Sequence, residues 1–88
     1  MLLEAQELAL VHYSLNQISV SEQDRSLLRE SCEAVLLSTE GENEGKHFVD
    51  GDISLSTLQK AFIIKSLRSL SWNKNSWDVV DKIIEKLN

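Results

Sequence analysis

The run Asp50-Gly51-Asp52-Ile53-Ser54, just ahead of a helical stretch, has the residue types of the second half of a calcium-binding helix–loop–helix. That chemistry needs carboxylates at loop positions 1, 3 and 5, a glycine at 6 and a bidentate glutamate at 12. In the register that fits Gly51 and Ile53, position 1 is Lys46, position 3 is Phe48 and position 12 is Thr57. Three ligands are missing and one is replaced by a cation, so the run reads as an acidic turn leading into a capped helix. Zinc asks for three or four nitrogen or sulfur ligands. His12, His47 and Cys32 are the only such side chains, and carboxylates would have to complete any set. His12 lies beside an apolar helical stripe and is expected at the edge of the core, whereas His47 is expected in solvent. Cys32 paired with a histidine would suit nucleophilic chemistry, but on an apolar helix face it reads as a small hydrophobe. No phosphate loop or oxyanion nest accompanies these residues. The expectation is therefore a non-enzymatic chain without metal or cofactor.

Charge and aromatic residues point instead to binding. Residues 1–52 carry eleven acids against three bases, a net of −8, and residues 53–88 carry three acids against six bases, a net of +3. Lys60, Lys65 and Arg68 form a basic strip with Lys74 just beyond, while Glu42 and Glu44 mark the acidic half. The strip can contact an acidic protein or nucleic acid, pair with the acidic half, or remain a solvated face. The formal net charge of −5 repels phosphate backbones, and no run of aromatic or amide side chains is interleaved to read bases. Nucleic acid is thus the less expected partner. Trp72 and Trp77 bracket the start of the last helix, where they serve either as core anchors or as interface hot spots.

These residues must be held by helices. There is no proline, and the three glycines, Gly41, Gly45 and Gly51, fall in one short stretch that breaks the chain in its middle. Leu8, Val11, Leu15 and Ile18 follow a helical spacing and predict a first helix over 2–17. Ser19 to Glu22 and Ser21 to Asp24 are overlapping capping boxes, predicting a second helix over 21–38 that buries Leu28, Cys32, Val35 and Leu36. A long acidic loop, 39–52, follows. Asp52 or Ser54 caps a third helix, 54–71, whose apolar residues Leu55, Leu58, Phe62, Ile63, Ile64, Leu67 and Leu70 cover more than half its circumference. That helix is central, or it offers a second face to another chain. Asn75 and Asp78 cap a fourth helix, 76–87, with Trp77, Val80, Ile84 and Leu87 on one side. The expected fold is all-α, one domain over 1–88 with about four short helices, dimeric through the third. No apolar run reaches the roughly 20 residues that cross a bilayer. Met1-Leu2-Leu3-Glu4 lacks the basic start of a signal peptide, and Cys32 is unpaired, so a cytoplasmic location is expected.

Tyr13, Glu22, Leu28, Val35, Leu37 and Ser38, then Asp50-Gly51, Leu55-Ser56, Ser69-Leu70 and Asp78-Val79, follow a familiar order. Over about residues 13–87 the chain resembles the AriR/YmgB-like small enterobacterial regulators, connectors of two-component signalling in biofilm growth and acid resistance. The loop at 39–52 departs from that pattern in length and acidity. The resemblance implies a compact, dimeric helical protein that modulates regulators of surface-attached growth or stress, and it brings no catalytic residues.

The expected function is a regulatory adaptor that binds a signalling or transcription-regulating protein. Phe62, Ile63, Leu67, Leu70, Trp72 and Trp77 are its expected contact surface, with Lys60, Lys65, Arg68, Glu42 and Glu44 as charged contacts. The alternative is an inhibitor or immunity-type protein that blocks a toxin or host enzyme through its carboxylates. A weaker alternative is a DNA-binding regulator using Lys60, Lys65 and Arg68.

Overall fold

The computed structural model describes residues 1–88, with the side chain of Asn43 excepted. Four helices dominate: α1 (Ala5–Gln17), α2 (Arg25–Leu36), α3 (Thr57–Arg68) and α4 (Lys74–Leu87). The purely helical expectation needs one correction. Four two-residue strands, β1 (Leu2–Leu3), β2 (Thr39–Glu40), β3 (His47–Phe48) and β4 (Gly51–Asp52), form two small antiparallel sheets, β1 with β4 and β2 with β3. The stretch 39–52 is therefore folded, not an open loop. At the tip of its β2–β3 hairpin Gly41 has φ of 101°, and a Cβ there would meet the Gly45 carbonyl oxygen at 2.4 Å, so only glycine closes the turn. Gly51 is held differently: a Cβ would run into the Ser38 hydroxyl at 2.2 Å.

The helix starts shift for local reasons. Leu2 and Leu3 pair with Asp52 and Gly51, so α1 begins at Ala5 rather than residue 2. Asp50 caps it from a distance, its Oδ1 accepting from the Ala5 N–H at 2.8 Å, while Glu7 Oε1 accepts from the Glu4 N–H at 2.8 Å. Ahead of α2 comes a 3₁₀ turn, Glu22–Asp24, and neither Ser21 nor Asp24 makes the expected side-chain cap. The cap of α3 is Ser56, not Asp52 or Ser54: its hydroxyl accepts from Gln59 N–H at 3.1 Å and Gln59 Oε1 accepts from Ser56 N–H at 2.9 Å. Asn73, not Asn75, caps α4 by accepting from Ser76 N–H at 2.8 Å.

The helices close on one hydrophobic cluster. Leu8, Val11 and Leu15 of α1 meet Val35 of α2, Phe62, Ile63 and Leu67 of α3, and Val80, Ile83, Ile84 and Leu87 of α4. Leu3 and Ile53 close one end from the β1–β4 sheet. α3 packs against all three other helices, which is the central placement its wide apolar surface allowed. Small buried hydroxyls sit in the same interior. Ser14 donates to the Val11 carbonyl at 2.8 Å and lies 3.5 Å from the Ser66 hydroxyl, joining α1 to α3. Ser31 replaces the expected Leu28, Cys32 and Leu36 as the α2 residue buried beside Val35. Leu28 and Cys32 are half-buried and Leu36 is exposed.

Among the described residues, the Ser31 Oγ is the one buried side-chain polar atom without a partner. An unsatisfied buried hydroxyl costs about 1 kcal/mol or more, while alanine fits the same space. Ser31→Ala is therefore expected to raise the melting temperature by roughly 4–8 °C in a chain of this size, measured by calorimetry. An unchanged or lower value would mean that the hydroxyl is satisfied.

Candidate protein-binding face on the third helix

Burial divides the expected contact surface in two. Phe62, Ile63 and Leu67 are 7%, 1% and 0% exposed, so their side chains belong to the core, and only Phe62 also keeps an edge in a surface cleft. Trp72 and Trp77 are half-buried against that core, and Leu70 is half-buried. Trp72 donates its indole N–H to the Leu67 carbonyl at 2.8 Å and packs its ring 5.8 Å from that of exposed Tyr13. Both tryptophans thus act as anchors at the edge of the fold.

What remains outward on α3 is a different set. Ala61, Lys65 and Arg68 are exposed, Ile64 is half-buried, and together they share one helix face at i, i+3, i+4 and i+7. They line a shallow trough that ends at Ser69. Leu58, one turn towards the helix start, is 71% exposed, a large apolar side chain left in solvent. On the other side of Lys65 and Ser69 lies a cleft of about 260 Å³ between α3 and the α1–α2 connection, lined by Ile18, Val20, Phe62, Ser66, Ser19, Ser21 and Asp24. Lys65 and Ser69 line both hollows and form the ridge between them.

The charges on this face are free. Among the described residues the ion pairs are the Met1 amino group with Asp52, and Lys86 with Glu7 at 2.6 Å. Lys60, Lys65 and Arg68 therefore have no carboxylate within pairing distance, and among the described residues Lys86 with Glu7 is the one ion pair that joins the acidic and basic halves. Glu42 and Glu44 stand exposed on the hairpin and belong to neither ion pair. Exposed cations next to apolar surface suit an acidic, partly apolar ligand.

The residues whose types suit catalysis and metal binding lie elsewhere. Asp50 and Asp52 are engaged by the start of the chain, through the Ala5 N–H and the Met1 amino group. His12 is half-buried with its ring 5.4 Å from that of Phe48, fastening the hairpin to α1, and exposed His47 approaches the Gly45 carbonyl at 3.1 Å. Burial, with the charge of Glu33 adding to it, pushes the Cys32 thiol above its usual range, which keeps it protonated at neutral pH and works against a nucleophilic role. Among the described residues no three His, Cys, Asp or Glu side chains come together as a metal site. No helix is long and apolar enough to cross a membrane.

The chain matches no family model, no curated protein and no solved structure. Two features of the face escaped the sequence reading, the Ala61–Ile64 trough and the cleft beside it. The trough had a legible signal, since Ala61, Ile64, Lys65 and Arg68 share helical spacing. The cleft had none, because it depends on where the α1–α2 connection crosses α3.

Proposed function

We propose that this chain is a non-enzymatic regulatory adaptor of the cytoplasm that binds and modulates a signalling or transcription-regulating protein, in the manner of the AriR/YmgB-like connectors. The observation that carries the reading is the outer face of α3, where Leu58, Ala61 and Ile64 lie among the unpaired cations Lys65 and Arg68. Exposed apolar side chains, with Ile64 half-buried beside them, next to cations that have no carboxylate partner are the composition of a recognition surface. A homodimer belongs to the same proposal and would use this strip, since α1, α2 and α4 already cover the rest of α3. The inhibitor reading draws its support from a separate place, the hairpin, where Glu40, Glu42 and Glu44 are all exposed.

Affinity capture from lysate separates the two. Wild type, Ala61→Arg and the triple variant Glu40→Gln, Glu42→Gln, Glu44→Gln serve as baits, with the captured proteins identified by mass spectrometry. All substitutions are at exposed positions, so folding is expected to be unchanged. The adaptor reading expects a partner lost with Ala61→Arg and kept with the triple variant. The opposite pattern supports the inhibitor. A discrete DNA complex at physiological salt, abolished with Lys60, Lys65 and Arg68, would replace both readings with a nucleic-acid one.

A further inference from the structure

Resting on that reading of α3, we infer that the partner segment is an amphipathic helix with an acidic flank and one large apolar anchor, laid across the Lys65–Ser69 ridge. The trough from Ala61 to Arg68 runs for two helical turns, about 10 Å, which matches the spacing of anchors on a facing helix. Beyond the ridge, the cleft of about 260 Å³ has apolar lining from Ile18, Val20 and Phe62 and room for one large side chain. Along the trough the backbone groups belong to α3 and are committed to its own helical bonds, whereas residues 18–21 of the non-helical α1–α2 connection line the cleft. A strand laid in the trough therefore finds no main chain to pair with, and recognition there must come from side chains.

Charge fixes the chemistry of the flank. Lys65 and Arg68 are exposed and unpaired on one side of the seat, so carboxylates are attracted there. Asp24 lines the cleft on the far side of Lys65 and repels carboxylates, which keeps the acidic flank over the cations and leaves only the apolar anchor to enter the cleft. A polyanion such as nucleic acid gains from the cations but has nothing to offer Ala61, Ile64 or the cleft, and meets a chain of net charge −5.

The test uses the full chain, labelled with nitrogen-15, titrated with three stapled helical peptides of about 16 residues, long enough to hold helix with a staple. One carries a leucine anchor and glutamate flank, one has the anchor replaced by alanine, and one has a lysine flank. The first is expected to shift the amide signals of residues 61–69 and 18–24, and to weaken at least about tenfold on loss of the anchor or with Arg68→Glu. The lysine-flanked peptide is expected to leave the spectrum unchanged. Equal binding of the two flanks, shifts confined to other elements, or no shift at millimolar acidic peptide would each overturn the inference. So would anionic vesicles or duplex DNA engaging these residues when the acidic peptide does not. If capture of a partner depends on Ala61 yet no acidic helix binds, the helix inference falls and the adaptor reading stands. A captured partner indifferent to Ala61→Arg overturns the reading itself.

Discussion

Leu67→Glu is expected to leave the chain unfolded. Leu67 is 0% exposed at the centre of α3, where that helix meets its three neighbours, and no cation lies in the core to receive a carboxylate. An isolated buried charge costs several kcal/mol, on top of the lost burial of a leucine at about 1.5–3 kcal/mol. The whole stability expected of this length is only roughly 4–13 kcal/mol. Circular dichroism should show loss of most helical signal at 25 °C, while Leu67→Met, which conserves volume, should melt within a few degrees of wild type. A folded Leu67→Glu monomer would mean that Leu67 faces another copy of the chain and not its own core.

The second large effect is expected from Lys86→Ala. Glu7 is 3% exposed, and its Oε1 is held by the Lys86 ammonium at 2.6 Å and by the Glu4 N–H at 2.8 Å. The pair ties the first turn of α1 to the last of α4. Removing the ammonium strands a buried carboxylate, a loss of about 3–5 kcal/mol for a fully buried pair. Lys86 keeps 36% side-chain exposure, so water can reach part of the site and about 2–3 kcal/mol is the better expectation. Thermal melting should fall by roughly 10 °C or more. The double change Glu7→Met, Lys86→Met should recover most of it, because the desolvation cost vanishes with the charges. A single variant that melts with wild type would show that Glu7 is solvated.

The four helices were legible because their apolar residues repeat at 3.6, and Leu8, Val11 and Leu15 or Val80 and Leu87 declare their faces without help. The ends were less so. Leu2 and Leu3 look like helix until Gly51 and Asp52, some fifty residues on, take them into a sheet. No local signal announces that pairing. The hairpin hid for a related reason: its strands are two residues long, too short to show alternation. Ser56 and Gln59, by contrast, form a capping box plainly visible in sequence, directly ahead of α3, whereas Asp52 and Ser54 lie too early in the chain to cap it.

The phase of α2 shows how packing overrides pattern. Leu36 was expected inside and is 41% exposed, while Ser31 is fully buried. With small serines at 14, 31 and 66 all buried, the helices can approach closely around hydroxyls, and α2 turns its serine inward. The same limit governs the candidate face. The number of apolar residues on α3 predicted that something must cover them, but not that α1, α2 and α4 would cover Phe62, Ile63 and Leu67 and leave Leu58 and Ala61 exposed with Ile64 half-buried. The basic strip was legible as charge; its lack of internal partners was not.

On the proposed reading, the outer face of α3 meets the partner. The most direct measurement is the affinity of the captured partner for wild type and for Lys65→Glu, Arg68→Glu, by titration calorimetry with melting temperatures recorded for both. These two residues are exposed and outside every ion pair, so the double variant is expected to melt with wild type and to lose at least about a hundredfold in affinity. Unchanged affinity in a variant that melts with wild type would place the partner's contact elsewhere on the chain.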